Sequence, residues 1–156
     1  MLTVSDGVHE GTRDDRSGDL LEELLSAQGF AVERRVVPDE ARGIADAITD
    51  LAETAAVVLT TGGTGFAPRD VTPEATRRVI DREAPGIAEA IRADARERTP
   101  HALLSRGLAG LRGAALIVNL PGSPGGWRDG FEVLRPALEH GLELAAGDRT
   151  TEHRQT

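Results

Sequence analysis

Ala55-Ala56-Val57-Val58-Leu59-Thr60-Thr61-Gly62-Gly63-Thr64-Gly65 decides the fold. The run from Ala55 to Thr60 is continuously apolar up to its last residue, the pattern of a strand covered on both faces. It breaks at once into a glycine-rich loop. Ala114 to Leu120 repeats the pattern and ends in Pro121-Gly122-Ser123-Pro124-Gly125-Gly126. Working outward, Leu2 to Val4 reads as a short strand, the end of one whose first half is missing. Phe30 to Val37, rich in valine and bounded by Pro38, reads as another. Helical spacing joins Leu20, Leu21, Leu24 and Leu25, closed by Gly29, and again Ile44, Ile48, Leu51 and Ala52. Thr72-Pro73-Glu74 is a helix start with Thr72 as cap, and the spacing carries that helix to about Arg82. A further helix spans about Pro85 to Glu97. Phe131, Leu134, Leu138 and Leu142 mark the last one, which Gly147 ends. Ser5 to Asp15 reads as a polar loop; Ala102 to Leu111 stays open, a strand pair around Gly107 being one option.

Strands alternating with helices predict an α/β fold: a mostly parallel sheet with helices on both faces. The length of 156 residues predicts one domain, over 1–147, followed by a polar C-terminal tail over 148–156. No apolar run approaches the ~20 residues of a membrane span. With 18 basic and 26 acidic residues the formal charge is −8, which argues against a nucleic-acid or anionic-membrane binder. The absence of cysteine removes disulfides and thiolate catalysis and fits a cytoplasmic protein. Every basic residue is arginine, so Schiff-base and phosphate-loop lysine chemistry are excluded. His9, His101, His140 and His153 show no metal-ligand spacing.

In parallel sheets ligands bind beyond the carboxyl ends of the strands, and three polar or glycine-rich loops leave such ends. In the first, Ser5 and Asp6 present a hydroxyl and a carboxylate, or form an ordinary polar loop. In the second, Thr61, Gly62, Gly63, Thr64 and Gly65 bring backbone N–H groups and hydroxyls toward an anion, or make a tight turn. In the third, Pro121, Gly122 and Ser123 offer a rigid turn with a hydroxyl and free N–H groups. Asp70 follows the second loop. A carboxylate about 4 Å from a phosphate charge costs about 4 kcal/mol at an effective dielectric of 20, unless a cation bridges them. Magnesium suits that place, with Asp39 as a second acid. Without context, Asp70 pairs with Arg69 or supports a helix end, and Asp39 caps the next helix. Trp127 lies over a flat heterocycle or packs under the final helix.

Leu59 to Thr76, reading LTTGGTGFAPRDVTPEAT, resembles the signature of the molybdenum cofactor biosynthesis proteins. Thr3-Val4-Ser5-Asp6, Asp15-Arg16-Ser17-Gly18, Val37-Pro38-Asp39-Glu40, Leu104-Ser105-Arg106 and Asn119-Leu120-Pro121-Gly122-Ser123-Pro124 match further family segments in order. Gly125 stands where the family often has lysine. Within the family the chain is most similar to the stand-alone molybdopterin adenylyltransferases. The resemblance implies a three-layer α/β/α domain, a homotrimer, and ATP and molybdopterin as substrates. The implied reaction is attack of the molybdopterin phosphate on the α-phosphate of Mg-ATP, with pyrophosphate leaving. It places the functional acids at Asp39 and Asp70, here assigned to Mg²⁺, and associates Ser105 with the pterin site, to which Pro121 to Ser123 are here added. Gly62 to Gly65 then cradle phosphate, and positive charge comes from Mg²⁺, backbone donors and arginines such as Arg69 or Arg106. The alternatives are a pterin-binding relative without catalysis and a competence-damage-type domain that hydrolyses nucleotide derivatives.

Overall fold

The computed structural model describes residues 1–147; the expected polar tail lies outside the described residues. Six strands form one sheet: β1 (Leu2–Val4), β2 (Arg35–Val37), β3 (Val57–Thr61), β4 (Arg82–Glu83), β5 (Ala109–Arg112) and β6 (Ala115–Leu120). Their order is β2-β1-β3-β6-β5-β4. The first four in that order are parallel, while β5 and β4 run antiparallel at the far edge. The helices are α1 (Asp6–His9), α2 (Arg16–Ala27), α3 (Ala41–Thr54), α4 (Thr72–Val79), α5 (Pro85–Arg96) and α6 (Pro124–Ala146), with a 3₁₀ turn over Pro100–Leu104.

Alternate residues of the central strands build two cores, one per face. Leu59, Leu116, Val118 and Leu120 pack with Leu21, Leu25, Ile91, Trp127, Phe131, Leu134 and Leu138 of α2, α5 and α6. Val58 and Ile117 face the other way, joining Leu2, Val4, Ile44, Ile48 and Leu51, with Ala75 and Val79 of α4. The result is the three-layer α/β/α architecture. Trp127 belongs to the first turn of α6 and is 1% exposed, so it packs from that helix into the core and does not cover a ligand. Among the described residues no helix is long and apolar enough to cross a membrane.

Five local expectations change. The strand predicted over 30–37 is paired only at Arg35–Val37, because the register sets Leu2 opposite Arg35 and residues 30–34 lie beyond the first paired residue of β1. The polar loop after β1 contains a helical turn, α1, because Ser5 Oγ accepts the Val8 N–H and caps it. The helix predicted to reach Arg82 ends at Val79, and Arg82–Glu83 pair with β5 instead. The hairpin turns at Gly113, whose φ is +55°, and not at Gly107. Thr72 is not the cap of α4: that position is Val71, and the Thr72 hydroxyl donates to Gly62 O at 3.0 Å.

A buried polar cluster ties the sheet to this end of the molecule. Asn119 Nδ2 donates to Thr60 Oγ1 at 3.0 Å and to Thr76 Oγ1 at 2.9 Å, while its Oδ1 accepts from Leu108 N at 3.2 Å. Thr60 and Thr76 are fully buried, so water cannot replace the amide. Asn119→Ala is expected to cost about 3 kcal/mol, read as a lowered urea midpoint at constant slope. An unchanged midpoint contradicts this account of the cluster.

Candidate active site

The order in which strands join the sheet reverses between β1 and β3, which run parallel: β2 lies on one side of β1, and β3 and β6 on the other. Ligand crevices of doubly wound sheets open at such points. Here the carboxyl ends of β1, β3 and β6 release the three loops picked out from the sequence, and side chains lock them together. Ser17 Oγ donates to Gly122 O at 2.9 Å, joining the first turn of α2, which follows the first loop, to the third loop. A Cβ on Gly122 would stand 3.0 Å from Gly62 Cα, so the third loop also presses on the second.

The glycine loop owes its course to backbone geometry. Gly62 has φ +96°, and a Cβ there would stand 2.3 Å from Val4 O. Gly63 has φ +63°, and its Cβ would meet Thr72 Oγ1 at 2.3 Å and Asp39 Oδ1 at 3.3 Å. Both positions therefore exclude side chains by conformation and by space. On the far side of the loop, a Cβ on Gly65 would lie 2.8 Å from Asp70 Oδ2. The loop thus runs against the Asp39 carboxylate at one end and the Asp70 carboxylate at the other.

The acids are held by backbone donors. Asp6 N donates to Asp39 Oδ2 at 2.8 Å, and Asp39 N donates to Asp6 Oδ1 at 3.0 Å, a reciprocal pair linking the ends of β1 and β2. Arg69 grips Asp6 with two bonds, Nε to Oδ2 at 2.9 Å and Nη2 to Oδ1 at 2.7 Å. That grip holds the Asp6 carboxyl below the usual aspartate range. The Asp39 carboxyl is pushed up instead, first by burial, with the charges of Asp6 and Asp70 adding to the rise. Asp70 Oδ2 accepts from Ala67 N at 2.8 Å, so Asp70 turns its own loop and is not the partner of Arg69. Asp39 does not cap α3; Glu40 holds that position without a side-chain bond.

Arg106 occupies a different role from the one expected of it. Its Nε donates to Gly65 O at 2.7 Å, its Nη2 to Asp70 O, its Nη1 to Glu74 Oε1, and its backbone N to Thr64 O at 2.9 Å. The guanidinium clamps the glycine loop and the start of α4. Lysine cannot reach three divergent acceptors at once. Arg106→Lys is therefore expected to lower stability by about 1–2 kcal/mol in a denaturant titration, and a wild-type curve contradicts the clamp.

Some of the expected site residues divide among several depressions, whereas Asp6, Asp39, Gly63, Thr64 and Gly65 stand outside the linings of these. A cleft of 670 Å³ takes Ser5, Thr61, Gly62, Gly122 and Ser123, together with Thr3, Arg13, Asp15, Arg16 and Ser17. Pro121 supports that cleft's third loop without lining it. Asp70 and Arg106 line a shallower hollow of 430 Å³ beside Phe66, which is 67% exposed. Ser105 and Arg106 line another, with Arg77 and Arg92. Ser105 is thus not brought against Gly122 and Ser123. Among the described residues no group of three or more His, Cys, Asp or Glu is arranged to hold a metal.

Asp15 was missed as a wall of the cleft. It caps α2 through the Gly18 N–H at 2.9 Å, accepts from Thr3 Oγ1 at 2.7 Å, and pairs with Arg34 at 2.7 Å. Burial works against its charge, but these bonds outweigh it and hold the carboxyl below the usual range. The spacing Asp15-x-x-Gly18, a cap before the leucine-bearing helix, was the available signal.

A doubly wound α/β domain with hydroxyls, glycines and paired acids at its reversal point is a binding architecture for anionic small molecules. The chain belongs to the family described as a probable molybdopterin binding domain, whose model matches residues 1–140. It is 40% identical over 95% of its length to the molybdenum cofactor synthesis protein cinnamon of Drosophila melanogaster, and spans 25% of that protein and 22% of the gephyrin of Dictyostelium discoideum. It is 36% identical to a molybdopterin adenylyltransferase of Helicobacter pylori, with 95% of this chain and 87% of that one covered. The crystal structure of the molybdopterin biosynthesis enzyme MoaB from Thermus thermophilus matches at 47% identity and TM-score 0.86, with 94% of both chains covered.

Proposed function

We propose that the protein is a molybdopterin adenylyltransferase. The carrying observation is the approach of the Asp39 and Asp70 carboxylates to one glycine loop beside the cleft. The likeness to the Helicobacter pylori enzyme supports the same reading. A terminal phosphate oxygen of molybdopterin attacks the α-phosphorus of ATP. The new P–O bond forms as the bond to the β-phosphate oxygen breaks, and pyrophosphate leaves. Reactions of this type need positioning and charge neutralisation more than covalent help from the protein.

The residues fit a magnesium ion carried with the nucleotide. Two carboxylates with phosphate oxygens and waters make a normal Mg²⁺ shell, whereas a cage built only from protein would need more ligands. Crowding of Asp39 by Asp6 and Asp70 marks a place where added positive charge is favourable. Asp39 and Asp70 would hold the ion, which supplies charge neutralisation at the phosphates. The N–H groups of Gly62 to Gly65 receive phosphate oxygens, Ser5, Thr61 and Ser123 donate hydroxyls, and Asp6 keeps Asp39 and Arg69 in register. The family resemblance also supports a cytoplasmic homotrimer, with Ser105 seating the pterin.

A second reading, a pterin-binding relative without adenylylation, has in its favour the description of the matched family as a probable molybdopterin binding domain. Molybdopterin and Mg-ATP incubated with the protein separate the two. Adenylylated molybdopterin, lost on chelation of the metal, supports the enzyme; bound pterin with no product supports the relative.

A further inference from the structure

With no lysine in the chain, a permanently charged side chain that meets a phosphate must be an arginine, yet two obvious ones are already engaged. Arg69 is bonded twice to Asp6, and Arg106 is bonded to Glu74, Gly65 and Asp70. Arg13 differs. It lines the 670 Å³ cleft, and its Nη2 donates to Ser5 Oγ at 3.2 Å. Among the described residues neither Arg13 nor its neighbour Arg16 forms an ion pair. Of the acids on the same wall, Asp15 is neutralised by Arg34 at 2.7 Å, which leaves Asp14 alone against two arginines.

We infer that Arg13 receives a phosphate group in this cleft, exchanging or sharing its bond to Ser5. The inference rests on reading the cleft as a substrate site and adds the residue that supplies its positive charge. Ser5 Oγ accepts from both Arg13 Nη2 and Val8 N, so its own proton is left to donate. A phosphate oxygen placed between the guanidinium and the Ser5 hydroxyl meets two donors at once, one of them charged. Thr61 and Ser123, which also line the cleft, add hydroxyls. The ligand chemistry is a phosphate monoester or polyphosphate; the nucleotide and the pterin phosphate are its two sources.

The test compares the unaltered protein with Arg13→Gln, Arg13→Lys and Arg42→Gln. The last removes an equal charge from a side chain that is 94% exposed on α3. Dissociation constants are measured calorimetrically for AMP, adenosine, molybdopterin and its dephosphorylated form. Arg13→Gln is expected to weaken a phosphorylated ligand roughly tenfold or more and leave its dephosphorylated counterpart unchanged. Arg13→Lys recovers part of the loss, and Arg42→Gln matches the unaltered protein. Loss for AMP assigns the contact to the nucleotide; loss for molybdopterin assigns it to the pterin phosphate. Unchanged affinities, or equal losses with and without phosphate, would overturn the inference, and with normal adenylylation by Arg13→Gln they would overturn it alone. No binding of any of the four ligands to the unaltered protein would overturn it together with the adenylyltransferase reading.

Discussion

Asp39→Asn and Asp70→Asn are each expected to lower kcat about a thousandfold, or about 4 kcal/mol, while leaving the fold intact. Both carboxylates abut the glycine loop, and neither belongs to the hydrophobic cores. Asparagine keeps an oxygen to accept the Asp6 N–H at position 39 and the Ala67 N–H at position 70, so the local turns survive. For Asp39 the sign of the stability effect is set by its raised pKa. The folded state binds that proton more tightly than the unfolded chain does, so the ionised carboxylate costs stability near pH 7. That penalty disappears as pH falls below the unfolded value. Asp39→Asn should therefore unfold at the same or a slightly higher temperature at pH 7, although it has lost turnover. Near-normal kcat in both variants contradicts the metal assignment. Lost turnover with a collapsed melting temperature makes the two acids structural.

Gly62→Ala is expected to do what no conservative change on the surface can: disable both fold and site. The residue sits at φ +96°, and its Cβ would stand 2.3 Å from Val4 O. Left-handed backbone alone costs an alanine roughly 1–2 kcal/mol. The contact is with backbone, so no side-chain rotation relieves it, and Thr3 beside Val4 is paired to Thr61 in the sheet. Relief requires β1 and β3 to separate at the cleft. The expected loss is about 3–5 kcal/mol of stability and at least a hundredfold in activity. Gly125→Ala is the matched control. That glycine lies in the first turn of α6 with nothing within 4 Å of its Cβ, so alanine should be neutral or slightly stabilising. Equal behaviour of the two variants contradicts the packing argument.

The sheet was legible because Val57–Thr61 and Ala115–Leu120 are buried on both faces and so lack alternation. The helices with strong apolar stripes, α2, α3 and α6, were legible for the complementary reason. What failed was decided by partners distant in sequence. Residues 30–34 have strand composition, but the strand register with β1 starts at Arg35, and beyond it the contact is the Met1 amino group donating to Glu33 O. Arg82–Glu83 look like the end of a helix until β5 takes them as an edge. Thr72 has the residue type of a cap, and the Gly62 carbonyl competes for its hydroxyl. The convergence of three loops was readable from strand ends. The commitment of Arg69 and Arg106 was not, because their acceptors, Asp6 and Glu74, lie 63 and 32 residues away.

The most direct test of the central claim follows phosphorus. The protein is incubated with molybdopterin, Mg²⁺ and ATP labelled at either the α- or the γ-phosphate, and the pterin product is isolated. Label from the α-phosphate on the pterin, with the γ-label released in pyrophosphate, is the predicted result. Transfer of the γ-label, or bound but unlabelled molybdopterin in both reactions, would contradict adenylylation as the function of this cleft.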